Sequence, residues 1–373
     1  MPGTVGLLAH AASVDPALRH AVELLPAAGV RLARLFGPEH GLGGAAQDMV
    51  GVDDRTTAGG LPVVSLYGAD EASLTPRAED LAGLDAVLID LQDVGSRYYT
   101  YVWTAARMLV AASAAGVRTV VLDRPNPLGG RSVEGAPQRA GYRSFVGLYD
   151  VAVRHGMTVG EILTMVRDGE GLAPESLEVV RMEGWRRDLT FEATGLPWVL
   201  PSPNMPTLDT AFVYPGGCLL EGTALSEGRG HTRPFEVWGA PGLDGAALRD
   251  RVAIEGAALR ALTFTPTFHK HGGERCGGVQ VHVTDRARFR PYAAYVRLLG
   301  EARLLLGPRF RWRTQPYEFV SDVPAIDLLS GGPELRAAVD DGADVREVLL
   351  AEAAGEAEFR DRRRAWLLYP DRG

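Results

Sequence analysis

Residues 34–44, RLFGPEHGLGG, set a carboxylate and an imidazole side by side, Glu39 and His40, straight after an apolar run and a Gly37-Pro38 break. A glycine-bounded loop lets a side chain come close to a ligand, so Glu39 is the best candidate for a catalytic carboxyl. The plainer alternative is a loop carboxylate that bonds a nearby helix N-terminus. His40 would orient Glu39 or bind a ligand, with a purely structural histidine equally open.

Four further clusters could do chemistry. DLQDVGSRYYTY, residues 90–101, packs Asp90, Gln92, Asp93, Arg97, Tyr98, Tyr99 and Tyr101 into twelve positions. Tyrosine offers an apolar face with a polar tip, which suits sugar rings and interfaces alike. Arg97 is able to clamp a carboxylate with two parallel bonds, or to pair with Asp93 and hold the loop. DRPNP brings Asp123, Arg124 and Asn126 to another loop, where turn-building is the competing use. PSPNMP contributes Asn204, and EGTALSEGRGHTRPFE holds Glu221, Glu227, Arg229, His231, Arg233 and Glu236 among glycines. So many charges with so little apolar residue are hard to explain by packing, although a solvated loop would also look like this. A metal held by His40, Asp90, Asp93, Asp123 and His231 has no supporting ligand spacing, so none is expected.

These clusters need elements to position them. Short apolar runs at 5–9, 30–36, 61–67, 86–91 and 119–123 read as strands, and helical spacing covers 15–25, 100–115 and 158–168. Buried parallel strands read as continuous apolar runs, and strands separated by helices imply βαβ units. The polar clusters fall at strand ends, where open α/β sheets bind their ligands. The expected fold is therefore α/β. An open doubly wound domain spans residues 1–170, and a mixed α/β region spans 171–373. The helix-rich end covers about residues 334–368.

The chain of 373 residues has a net charge of −8, which disfavours a general nucleic-acid partner. Its two cysteines are no disulfide framework, and no apolar run approaches the ~18 residues of a membrane span. No signal peptide is visible, so the chain as given reads as cytoplasmic, with an exported form open if the start lies upstream. GxGxxG is missing after the first strand, and GxxxxGK[ST] and GxSxG are missing throughout. No dinucleotide, P-loop or serine-hydrolase chemistry is expected, and no cofactor.

The motifs LFGPEHGLGG, SLYG, DLQDVGSRYYTY, VLDRPNPLGG, SFVGLYDVAVRHGMTVGE, LPSPNMPT, YPGGCLLEGT, SEGRGHTRPFE and GAP occur in this order. Together, from Val5 to Tyr369, the chain resembles the NamZ-type exo-β-N-acetylmuramidases. That resemblance implies a Rossmann-like domain, a smaller C-terminal domain and an active site between them. It implies release of N-acetylmuramic acid from non-reducing ends of peptidoglycan fragments, and it places the family's catalytic glutamate on Glu39. Two positions depart from the family pattern: His10 stands where asparagine is usual, and His231 where threonine is usual. Glycoside hydrolysis commonly uses two carboxyls, so Glu39 is expected as general acid with Glu227 or Asp93 as partner. The lactyl carboxylate of the sugar calls for a forked cation, Arg97 or Arg229, with Arg124 behind them. His40, Tyr98, Asp123, Asn126, Asn204 and His231 complete the expected binding set. The rival classes are a non-catalytic muropeptide- or sugar-binding protein and a metal-dependent hydrolase.

Overall fold

The computed structural model describes residues 3–53, 55–56 and 60–371. Its larger sheet is built from the apolar runs: β1 (Thr4–Ala9), β2 (Arg31–Gly37), β3 (Arg55–Thr56), β4 (Pro62–Ser65), β5 (Ala86–Asp90), β6 (Arg118–Leu122) and β7 (Leu177–Val180). Their order is β3-β4-β2-β1-β5-β6-β7, with β3 alone antiparallel. Counted in chain order, the six parallel strands run 3-2-1-4-5-6, the Rossmann order. Every residue of β5 is buried, as expected of a central strand covered on both faces. The last strand comes from beyond residue 170.

The helix at 101–114 packs on the helix at 159–169, and together they cover one face of the sheet. The second of these starts with a capping box, in which Thr158 and Glu161 satisfy each other's backbone N–H groups. On the opposite face the helical spacing at 15–25 resolves differently. The Asp15 side chain accepts the N–H groups of Ala17 and Arg19, and Leu18 turns left-handed at φ 63°. The helix therefore begins only at Ala21, capped by His20. A local side-chain bond outcompetes the first helical turn here.

A smaller antiparallel sheet runs β8 (Val237–Ala240), β10 (Cys276–Val283), β9 (Ala257–Phe264). It packs with the helices at 208–217, 245–251 and 291–306. One apolar cluster runs from Leu8 and Trp103 in the first lobe to Trp238, Tyr295 and Phe359 in the second, so the lobes share a core. Cys218 and Cys276 are both buried and unpaired. Among the described residues no helix is long and apolar enough to cross a membrane.

Candidate active site

Glu39 leaves the carboxyl end of β2 and is 5% exposed. The Thr100 hydroxyl donates to its Oε2 at 2.7 Å, and the Met49 N–H donates to its Oε1 at 3.2 Å. Thr100 is the N-cap of the helix at 101–114, so the carboxylate lies by the positive end of a 14-residue helix. His40 takes φ 68°, and its Nδ1 donates to the Ala46 carbonyl at 2.8 Å. The imidazole thus ties the loop to itself while its side chain faces the same space as Glu39.

That space is a small cavity of about 40 Å³ between the lobes. The first lobe supplies Glu39, His40, Asp48, Tyr98, Tyr99 and Thr100; later segments supply Asn204, Tyr214, Glu221, Arg229, Phe235 and Glu318. Asn204 donates to the Gln47 side chain at 3.0 Å, joining the two halves of the rim. Tyr99, Tyr214 and Phe235 stack edge to face in a continuous wall, and the buried Tyr98 hydroxyl has no protein partner among the described residues. The cavity is acidic. Its one arginine, Arg229, bonds Glu221 at 2.6 Å and lies 3.3 Å from both Asp48 and Glu227. Burial by itself would lower the Arg229 pKa, but these three carboxylates outweigh it and hold the guanidinium charged.

Glu227 lies behind this wall and does not line the cavity. It is fully buried, 2.9 Å from Lys270, 3.0 Å from His269 and 3.3 Å from Arg229. Burial would push its carboxyl up; Lys270, His269 and Arg229 outweigh burial and hold it well below the usual carboxylate range. Gly228 comes next at φ 81°, where a Cβ would collide with the Val237 carbonyl, so this turn admits only glycine.

The remaining expected residues serve other places. Asp93 accepts the Gly95 N–H at 2.7 Å and faces His155 at 3.3 Å. Arg97 is fully buried and spends its guanidinium on the carbonyls of Ala136, Val151 and Leu329, so no free fork is left for a carboxylate. Asn126 bridges Met157 and Leu128 as a turn-builder. His231 accepts the Arg233 N–H and packs edge-on to Phe264. Arg124 grips Asp90 with two bonds. Asp123 accepts from Thr158, Gly160 and Tyr369, and burial pushes its carboxyl up to about 6. Asp123 and Arg124 border a separate crevice of about 570 Å³, which is lined by Leu24, Trp185 and Leu196 and does not include Glu39. His10 is fully buried; its Nε2 accepts the Gln92 N–H and its Nδ1 donates to the Pro201 carbonyl. Burial pushes its pKa down to about 3, so His10 is a neutral strut between strand ends. Among the described residues no three His, Cys, Asp or Glu side chains are placed to hold a metal ion together.

Sequence reasoning missed Asp48, Tyr67, Tyr317 and Glu318. One conformational signal marks this region. Of eight described non-glycine residues with positive φ, seven (His40, Met49, Phe235, His269, His271, Glu318 and Phe319) line the cavity or sit in the segments that support it. Such conformations cost about 1–3 kcal/mol each and persist where the surroundings enforce them, typically at functional sites.

Fold and site together define a two-lobed Rossmann-like protein with a small, carboxylate-rich pocket at the junction of its lobes. The chain belongs to the NamZ exo-β-N-acetylmuramidase family. The family's N-terminal model matches residues 5–209 and its C-terminal model residues 212–369. It is 39% identical to the peptidoglycan β-N-acetylmuramidase NamZ of Bacillus subtilis (strain 168), over 98% of this chain and 86% of that protein. Two crystal structures of DUF1343 family proteins from Bacteroides fragilis share the fold. One has a TM-score of 0.86 at 30% identity, covering 99% of this chain and 94% of its own. The other has a TM-score of 0.73 at 26% identity, covering 100% and 95%.

Proposed function

We propose that the protein is an exo-acting glycoside hydrolase that releases N-acetylmuramic acid from the non-reducing ends of peptidoglycan fragments, with Glu39 as a catalytic carboxyl. The observation that carries this is the setting of Glu39: buried, doubly hydrogen-bonded, and facing a small pocket shared with another carboxyl, Glu318. Glycoside hydrolysis is two-carboxyl chemistry. The aromatic wall of Tyr99, Tyr214 and Phe235 suits the apolar face of a sugar ring. Arg229, the forked cation that lines the cavity, is the group suited to the lactyl carboxylate, which would replace Asp48, 3.3 Å away, as its partner.

The test is incubation of the purified protein with MurNAc-β-1,4-GlcNAc, with release of free N-acetylmuramic acid as readout and Glu39→Gln in parallel. The wild type should release the sugar, and the variant should fall at least ~10²-fold. Turnover unchanged in Glu39→Gln would remove Glu39 from the mechanism. Binding without turnover by folded wild type would favour a binding protein.

A further inference from the structure

We propose that Glu318 is the proton donor to the glycosidic oxygen, with Glu39 the partner carboxyl that faces the developing positive charge. This assignment rests on the muramidase reading and gives Glu39 the opposite role to the acid expected from sequence.

The geometry begins with the backbone. Tyr317 and Val320 close a tight turn through mutual N–H to carbonyl bonds of 2.9 and 3.0 Å. Inside it Glu318 and Phe319 take φ 46° and 67° in succession. A turn built only to reverse the chain would place glycine there. Two side-chain-bearing residues in that region are strained, so their side chains are being put somewhere specific. Glu318 is 6% exposed and lines the same cavity as Glu39. The Tyr67 hydroxyl meets its Oε2 at 3.1 Å, and the Phe319 ring packs edge-on to Tyr67 at 5.6 Å. The Tyr317 hydroxyl donates to Glu221 at 2.7 Å, which pins the turn from the other side.

The two carboxyls differ in what surrounds them. Glu39 accepts two hydrogen bonds beside a helix N-terminus, so both of its oxygens are held by donors. Among the described residues no cation pairs with Glu318. Arg229 is shared by Glu221, Asp48 and Glu227 instead. The charges that act most on Glu318 are those of Glu39, Glu221 and Asp48, all of its own sign, while Arg229 lines the same cavity but pairs with other carboxylates. Burial first, and then the charge of Glu39, push the Glu318 carboxyl well above its ordinary value against the opposing hydrogen bond from Tyr67, the direction a proton donor needs.

The step balances. As the bond between C1 and the glycosidic oxygen breaks, its electron pair stays on that oxygen, which takes the Glu318 proton. Glu39 stabilises the positive charge left on the sugar ring. A water oxygen then bonds to C1, and its released proton returns to the Glu318 carboxylate. One water is consumed, and both carboxyls end as they began.

The experiment compares two substrates on the full chain. One is MurNAc-β-1,4-GlcNAc, whose sugar leaving group needs a proton. The other is a dinitrophenyl β-N-acetylmuraminide, whose leaving group does not. Glu318→Gln should lose at least ~10²-fold in kcat/KM on the disaccharide and under ~10-fold on the aryl glycoside. The alkaline limb of the wild-type kcat/KM profile should disappear on the disaccharide. Glu318→Gly, which relieves the left-handed strain, should unfold no earlier than wild type yet lose the same disaccharide activity, separating chemistry from folding. Equal losses on both substrates, or an unchanged alkaline limb, would overturn the assignment while leaving the muramidase reading intact. Folded wild type that turns over neither sugar would sink both.

Discussion

Replacing Glu227 by glutamine separates two roles that its sequence context allows. In the structure it is an anchor: fully buried, it binds Lys270, His269 and Arg229 at 2.9, 3.0 and 3.3 Å and has no face on the cavity. Removing its charge leaves Lys270 and Arg229 buried against a neutral amide. Breaking a buried ion pair from one side costs about 3–5 kcal/mol, a large share of the ~5–15 kcal/mol that holds most folded proteins together. Urea unfolding of Glu227→Gln should therefore show a loss of this order. Activity per folded molecule should drop mainly through KM, because Arg229 loses one of the carboxylates that orient it. Adding Lys270→Met to the variant should recover part of the lost stability, since both partners of the closest pair are then gone. The opposite outcome, an unchanged unfolding midpoint with turnover down ~10²-fold, would show that Glu227 acts on substrate and that the anchoring argument is mistaken.

Two more expectations come from the same structure. Asp48 sits 3.3 Å from Arg229, where the lactyl carboxylate of the proposed substrate would bind, and the cavity of about 40 Å³ is far below the ~300 Å³ or more of ligand pockets. Asp48→Asn should free Arg229 and lower KM for muramic substrates a few-fold with kcat held; an unchanged KM shows that Asp48 does not compete. Glu352, which accepts from the Tyr292 hydroxyl at 3.0 Å, is pushed by burial from 4.5 up to about 7. The folded state thus holds a proton that the unfolded chain releases first. This contribution is full below the unfolded value and is lost as pH rises through the folded one, at most about 3 kcal/mol. Unfolding free energies at about pH 5 and about pH 8 should fall in wild type and stay flatter in Glu352→Gln, and equal slopes would refute the assignment.

Much of the frame was legible in the chain because its signals are local. Continuous apolar runs such as AVLID and TVVL mark buried parallel strands, and the polar clusters at their ends mark where a doubly wound sheet opens. GPEHG could be singled out for the same reason: Gly37 and Pro38 stop the strand and turn Glu39 and His40 out into a loop. The helix at 101–114 and the capping box at 158–161 are equally local, set by spacing within a few turns.

Partnership was not legible, because it is settled by contacts between residues far apart in the chain. Arg97 looked like a clamp for a carboxylate, yet folding surrounds it with carbonyls, one of them 232 residues away. Glu227 looked exposed among glycines, yet Lys270 and His269 arrive from another loop and bury it. Glu318 carries no motif at all, and its hydrogen bond to Tyr67 spans 251 positions. The residue types and strand ends therefore belong to the sequence, since backbone propensity and apolar periodicity act over a few residues. Which carboxyl keeps its proton and which arginine faces the pocket belong to the tertiary structure, because both depend on burial and on neighbouring charge that exist only once the two lobes have closed on each other.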